Sequence, residues 1–175
     1  MAKEKEIKTN AMRILDRQKI KYEVLQYECD EFIDGLHTAE KTGDEVKENR
    51  YDGMIVTGAP VEQSFKTLVA QGKSKQYYVL VLPIAEEVDL KKAAKAVGEK
   101  SIEMIHVKDI TAVSGYVRGG CSPIGMKKQY PTVIQECAGN FDKVYVSGGR
   151  IGTTLCMAPE DLKKVSRAEY ADFIQ

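Results

Sequence analysis

A chain of 175 residues has room for one domain with a substantial core and not for two of ordinary size. Lys plus Arg equals Asp plus Glu, 26 against 26. The zero net charge excludes a polycation that coats nucleic acid everywhere and confines any RNA contact to a local patch. The N-terminal MAKEKEIKTNAMRIL lacks an apolar signal core, and no run reaches the length needed to cross a bilayer. Four cysteines without a C-x-x-C pair and only two histidines argue against a disulfide framework or a zinc knuckle. The expectation is a cytoplasmic protein of one domain, residues 1–175, with reduced thiols, no metal, no cofactor and no membrane partner.

In chain order, Thr9 is placed to N-cap a helix over about 10–19, and residues 22–27 read as a short strand. Residues 29–43 are polar and broken by Gly35 and Gly43, so they read as loop. Pro60 suits the first turn of a helix, and Val61, Phe65 and Leu68 follow at helical spacing, which predicts a helix carrying Lys66 near its end. The unbroken YYVLVLP of 77–83 predicts a central strand. Asp89 caps LKKAAKAV, with Gly98 at its C-terminal stop. A short helix over 107–113 ends at Gly115, and strands are predicted at 132–136 and 143–147, paired like a hairpin around a polar turn. A further strand at 153–157 and a helix from Pro159 to about Val165 complete the chain. Strands outnumber long helices, so the fold class is α/β: one mixed, largely antiparallel sheet with helices packed outside it.

Two glycine-rich segments, GYVRGGCSPIG at 115–125 and SGGRIG at 147–152, match neither a phosphate-binding loop nor a dinucleotide fingerprint. They are either tight turns of a β-rich fold or loops that recognise a small group through main-chain N–H and C=O. Lys66, between apolar neighbours in SFKTLV, is either a helix-end lysine that complements the dipole or a partly buried cation that anchors a ligand. Tyr27 is a core aromatic or a hydrogen-bond donor in a pocket. His37 and His106 have no catalytic partner at a recognisable spacing. Cys121 lies in a candidate loop but has no identifiable activating base. Lysine clusters at 91, 92 and 95, at 127 and 128, and at 163 and 164 could attract an RNA backbone, although such clusters are usually solvated faces.

Taken together, TNAMRILDRQKIKYEVLQYE, APVEQSFKTLV, DLKKAAKAVGEKSIEMIHVKD, GYVRGGCSPIGMKKQYPTVI and YVSGGRIG resemble the YbaK and prolyl-tRNA synthetase-associated editing family. The resemblance implies a sheet partly closed into a barrel and surrounded by helices. It implies an aminoacyl-tRNA deacylase that hydrolyses mischarged tRNA, above all Cys-tRNA(Pro), in translation quality control. The partners implied are the 3′ end and aminoacyl group of that tRNA, with prolyl-tRNA synthetase as a possible second partner. By position, the family's site lysine corresponds to Lys66, and the main chain of Gly119 and Gly120 to the part of the pocket that holds the aminoacyl group. Tyr27, Ser147, Gly148 and Gly149 match its substrate-binding positions, and Thr154 stands where some members carry Asp. Such a site needs no protein nucleophile, because an aminoacyl ester is already activated. A catalytically silent domain that binds aminoacyl-tRNA or a synthetase is the alternative.

The sequence departs from that family in one segment. Thr57-Gly58 repeats Thr42-Gly43, which parses as an insertion of 44–58 between two copies of one dipeptide. DEVKENRYDGMIVTGAPVEQ is similar to a segment of homoserine O-succinyltransferases, and it is read as a passenger, since nothing else of that enzyme has a counterpart here.

Overall fold

The structure is a computed structural model that describes residues 8–26 and 61–175. Tyr27, Cys29, His37 and the predicted insertion at 44–58 lie outside the described residues. The helices are α1 (Asn10–Arg17), α2 (Leu90–Val97), α3 (Ile110–Ser114) and α4 (Pro159–Ser166). The strands are β1 (Glu23–Gln26), β2 (Phe65–Gly72), β3 (Tyr77–Pro83), β4 (Ile102–Met104), β5 (Thr132–Gln135), β6 (Val144–Ser147), β7 (Thr153–Met157) and β8 (Glu169–Ala171).

Local chemistry sets the helix ends. The Thr9 hydroxyl accepts from the Met12 N–H at 3.3 Å and caps α1, whose Ala11, Met12 and Leu15 are buried. Asp89 accepts from the N–H groups of Lys91 and Lys92, each at 3.0 Å, and Gly98 ends α2 with φ +78°. Pro159 opens α4 with Glu160 and Asp161 in its first turn, where carboxylates complement the helix dipole.

The strands form two ladders, where the sequence predicts one sheet. A three-stranded ladder runs β1-β7-β6 and is antiparallel throughout; a five-stranded ladder runs β4-β2-β3-β5-β8 and is mixed. The two meet at an isolated parallel bridge between Ser64 and Tyr145, and among the described residues neither ladder closes on itself. The main core lies between them, with Leu15, Phe65, Val79, Val81, Ile134, Val146 and Leu155. A second cluster under α2 joins Tyr78, Leu80 and Leu82 to Ala93, Ala94 and Phe173. β3 therefore buries both faces, which is why its sequence is apolar without alternation.

Two further sequence expectations are corrected. Beyond a three-residue 3-10 turn (Val61–Gln63), the segment predicted as a helix is β2, in antiparallel register with β3 from Phe65↔Pro83 to Gln71↔Tyr77. Lys66 is thus a strand residue. Secondly, β5 and β6 are not a hairpin: they belong to different ladders and are separated by a 3-10 turn over Glu136–Asn140.

Candidate active site

Along its N-terminal half β2 is paired on one side only. β3 covers one edge, while β4 reaches Ala70, Gln71 and Gly72 on the other. The Ile105 N–H donates to the Val69 carbonyl at 3.2 Å on that second edge. Main-chain direction alternates along a strand, so Thr67, two residues earlier, turns its N–H and C=O to the same edge. No described strand pairs there. A cavity of about 300 Å³ occupies the place, lined by Thr67, Leu68 and Val69, by Met104 and Ile105 leaving β4, by Val107 and Ile110, and by Arg118, Gly119 and Cys121 of the first glycine loop.

That loop is held by its own polar groups. The Ser114 hydroxyl donates to the Ile110 carbonyl at 2.7 Å and accepts from the Tyr116 N–H at 3.0 Å. The Tyr116 hydroxyl donates to the Ile124 carbonyl at 2.5 Å, and the Tyr130 hydroxyl donates to the Val113 carbonyl at 2.8 Å. Gly119 has φ +85°, a conformation that glycine adopts without strain. The Gly120 N–H donates to the Val117 carbonyl at 3.0 Å and closes a tight turn.

The second glycine segment lies directly behind the first. A Cβ on Gly120 would sit 3.0 Å from main-chain atoms of Arg150 and Ile151, so the two loops touch backbone to backbone. Gly149, with φ +97°, packs against Tyr116 and the Thr9 cap of α1. Ser147 is half-buried and stands opposite Thr154 in the β6–β7 register. Thr154 is 2% exposed on the middle strand of its ladder, inside the wall and away from solvent. The C-terminal end of β1 pairs with Thr153, which brings Gln26 to the strand that follows this turn.

The structure therefore gathers Gly119, Gly120, Ser147, Gly148, Gly149 and Thr154 in one neighbourhood. Lys66 is not among the residues that line the cavity. Strand alternation puts its side chain on the face of Leu68 and Ala70, opposite Thr67; it is half-buried, and among the described residues no carboxylate pairs with it. Sequence reasoning missed Thr67, Met104 and Val107. The signal for Thr67 was present, as a hydroxyl between Phe65 and Val69 on the buried face of a strand.

Burial pushes the Cys121 thiol up to about 11, against a smaller lowering by its hydrogen bond with Ser114. The thiol therefore keeps its proton near neutral pH, and Cys121 is a lining group and not a poised nucleophile. Cys137 is half-buried and Cys156 buried, both with thiols raised chiefly by desolvation. His106 is exposed. Among the described residues no cluster of His, Cys, Asp or Glu is arranged to hold a metal ion, and no helix is long and apolar enough to cross a membrane.

EbsC of Enterococcus faecalis, a relative named for Cys-tRNA(Pro)/Cys-tRNA(Cys) deacylation, is 40% identical over 174 residues, which is 98% of this chain and 97% of that one. The fold matches a structure described as a trans-editing enzyme for prolyl tRNA synthetase, with TM-score 0.71, 20% identity, and 97% and 99% of the two chains covered. It also matches the hypothetical protein APE2540, with TM-score 0.76, 17% identity, and 95% and 100% covered. The sequence profile of the aminoacyl-tRNA editing domain matches residues 52–165. With most of its length inside that profile and a relative at 40% identity end to end, the chain belongs to the aminoacyl-tRNA editing domain family.

Proposed function

We infer that this protein is an aminoacyl-tRNA deacylase that hydrolyses mischarged tRNA, with cysteine esterified to proline tRNA as its leading substrate. The observation that carries the reading is the 40% identity, over nearly the whole of both chains, to a relative named for that deacylation. The geometry suits it. A cavity of about 300 Å³ is at the small end of ligand sites, which run from about 300 to 1,000 Å³, and so is matched to an aminoacyl group rather than to a nucleotide.

In this reading the aminoacyl group enters the cavity and the ester carbonyl lies at the first glycine loop. The Gly119 and Cys121 N–H groups stabilise the oxyanion as it develops, since the Gly120 N–H is engaged within the turn. Lys66 brings its ammonium over the free edge of β2 on its flexible stem and holds the ester or the adjoining phosphate. Water attacks the carbonyl carbon, the bond from that carbon to the ribose oxygen breaks, and the proton passes to the ribose oxygen. With a cysteinyl ester the substrate's own thiol can attack instead, giving a thiolactone that water opens later. Ser147, Gly148, Gly149, Thr154 and Tyr27 support the loop and the bound group. Further parts of the proposal are a cytoplasmic location, a contact with prolyl-tRNA synthetase and a partly closed barrel formed by the two ladders.

The test is deacylation of cysteinyl-, alanyl- and seryl-tRNA(Pro). Ester loss well above the uncatalysed rate is expected for at least the cysteinyl form. Tight binding of all three with no acceleration would leave a silent binding domain instead.

A further inference from the structure

We propose that the Thr67 hydroxyl is the specificity contact of this site, reading a small polar atom on the side chain of the aminoacyl group. The proposal rests on the deacylase reading and assigns the site a residue beyond Lys66 and the glycine loops. Thr67 lines the cavity together with Gly119 and Cys121. Among the described residues, its Oγ1 is the one buried side-chain polar atom without a hydrogen-bond partner. Buried hydroxyls are almost always satisfied, and an exception on the wall of a cavity points to a partner that arrives with the ligand.

The rest of the lining limits what that partner is. Leu68, Val69, Met104, Ile105 and Ile110 make the wall largely apolar and Arg118 is the one charged residue in the lining, so an ammonium placed deep in it would lose hydration beside a like charge. A thiol or hydroxyl on a single carbon needs one partner and otherwise fits an apolar wall. The protonated Cys121 thiol adds a weak donor and no charge. The cavity is therefore built for cysteine or serine side chains in preference to an apolar isostere.

The experiment compares cysteinyl-tRNA(Pro) with 2-aminobutyryl-tRNA(Pro), in which a methyl replaces the thiol, on wild type, Thr67→Val and Thr67→Ser. Thr67→Val is expected to lower the ratio of kcat/KM for cysteinyl over 2-aminobutyryl esters about fivefold to tenfold, the worth of one neutral hydrogen bond. Thr67→Ser should keep that ratio. Thr67→Val should also melt at the same temperature as wild type or higher, because it removes an unsatisfied buried hydroxyl; a purely structural threonine would lower it. An unchanged ratio in Thr67→Val overturns the proposal. Should wild type hydrolyse no ester, the deacylase reading fails by itself, and titration with the corresponding non-hydrolysable amides decides the subsite: loss of the thiol preference in Thr67→Val supports it, and its retention overturns it.

Discussion

Lys66 and Cys121 are the two side chains with reactive heads in the proposed mechanism, and only Cys121 lines the cavity. Lys66 is half-buried, no carboxylate among the described residues pairs with it, and the proposed mechanism directs its charge to the substrate. Lys66→Ala is expected to lower kcat/KM for cysteinyl-tRNA(Pro) by roughly 100-fold or more, with the denaturation midpoint nearly unchanged. Activity within twofold of wild type would remove the residue from the mechanism. Cys121→Ser, by contrast, should leave turnover within about twofold, since the thiol is protonated at working pH. Its signature lies in alkaline stability. The buried thiol keeps its proton up to about 11, whereas the unfolded chain releases it near 9.0, so unfolding between those values frees a proton and stability falls as pH rises. Over that window wild type should lose stability more steeply than Cys121→Ser, by at most about 1.4 kcal/mol per pH unit. Parallel pH profiles for the two proteins would show the thiol to be solvated.

At the scale of the element, the first glycine loop acts through its shape. Gly119 combines φ +85° with a place in the cavity wall, whereas Gly98 has φ +78° with open space where a Cβ would go. Gly98→Ala should therefore cost about 1 kcal/mol of stability and no activity, while Gly119→Ala pays a similar backbone cost and also obstructs the cavity, lowering kcat/KM at least tenfold. Equal activity losses in the two variants would mean that the loop matters only for folding. The elements whose ends are set by local chemistry were legible in the sequence: α2 between Asp89 and Gly98, α4 from Pro159, and β3 in its full extent. β2 was not. Phe65 and Leu68 fit a helical period, but β2 is buried toward a different core cluster on each face, Phe65 and Val69 on one side and Ala70 on the other, and so shows no period of two. Three-residue strands such as β4 and β8 carry too little pattern to be read, and their positions come from the ladder they complete. The candidate site was legible as two glycine segments. That they touch back to back, and that Thr67 rather than Lys66 lines the cavity, follows from strand register, which a sequence does not display.

For the whole molecule, a neutral protein that acts on tRNA must concentrate its positive charge where the RNA lies. The three lysine clusters occupy different surfaces. Lys92 is turned to Asp172 and the Ile174 carbonyl, and Lys163 lies over the Tyr170 ring at 4.9 Å; neither residue lines the cavity beside the first glycine loop. Lys127 and Lys128 are exposed beside the first glycine loop; the Lys127 ammonium donates to the Ala112 carbonyl at 3.2 Å and its stem packs on Gly115. They line a cleft with Tyr77, Ala112, Val113 and Tyr130. Because α3 and the short turn before it have the candidate cavity at Val107 and Ile110 and this cleft at Ala112 and Val113, a 3′ end seated in the cavity as proposed would carry its phosphates across α3 to the two lysines. Lys127→Ala/Lys128→Ala is thus expected to raise KM for cysteinyl-tRNA(Pro) several-fold with little change in kcat. It should also flatten the plot of log affinity against log salt by roughly one to two, the slope of two lost phosphate contacts. Lys91→Ala/Lys95→Ala, on the exposed face of α2, should change neither quantity. If the α2 pair flattens the salt plot and the loop pair does not, the RNA runs across α2, and the path over α3 is wrong.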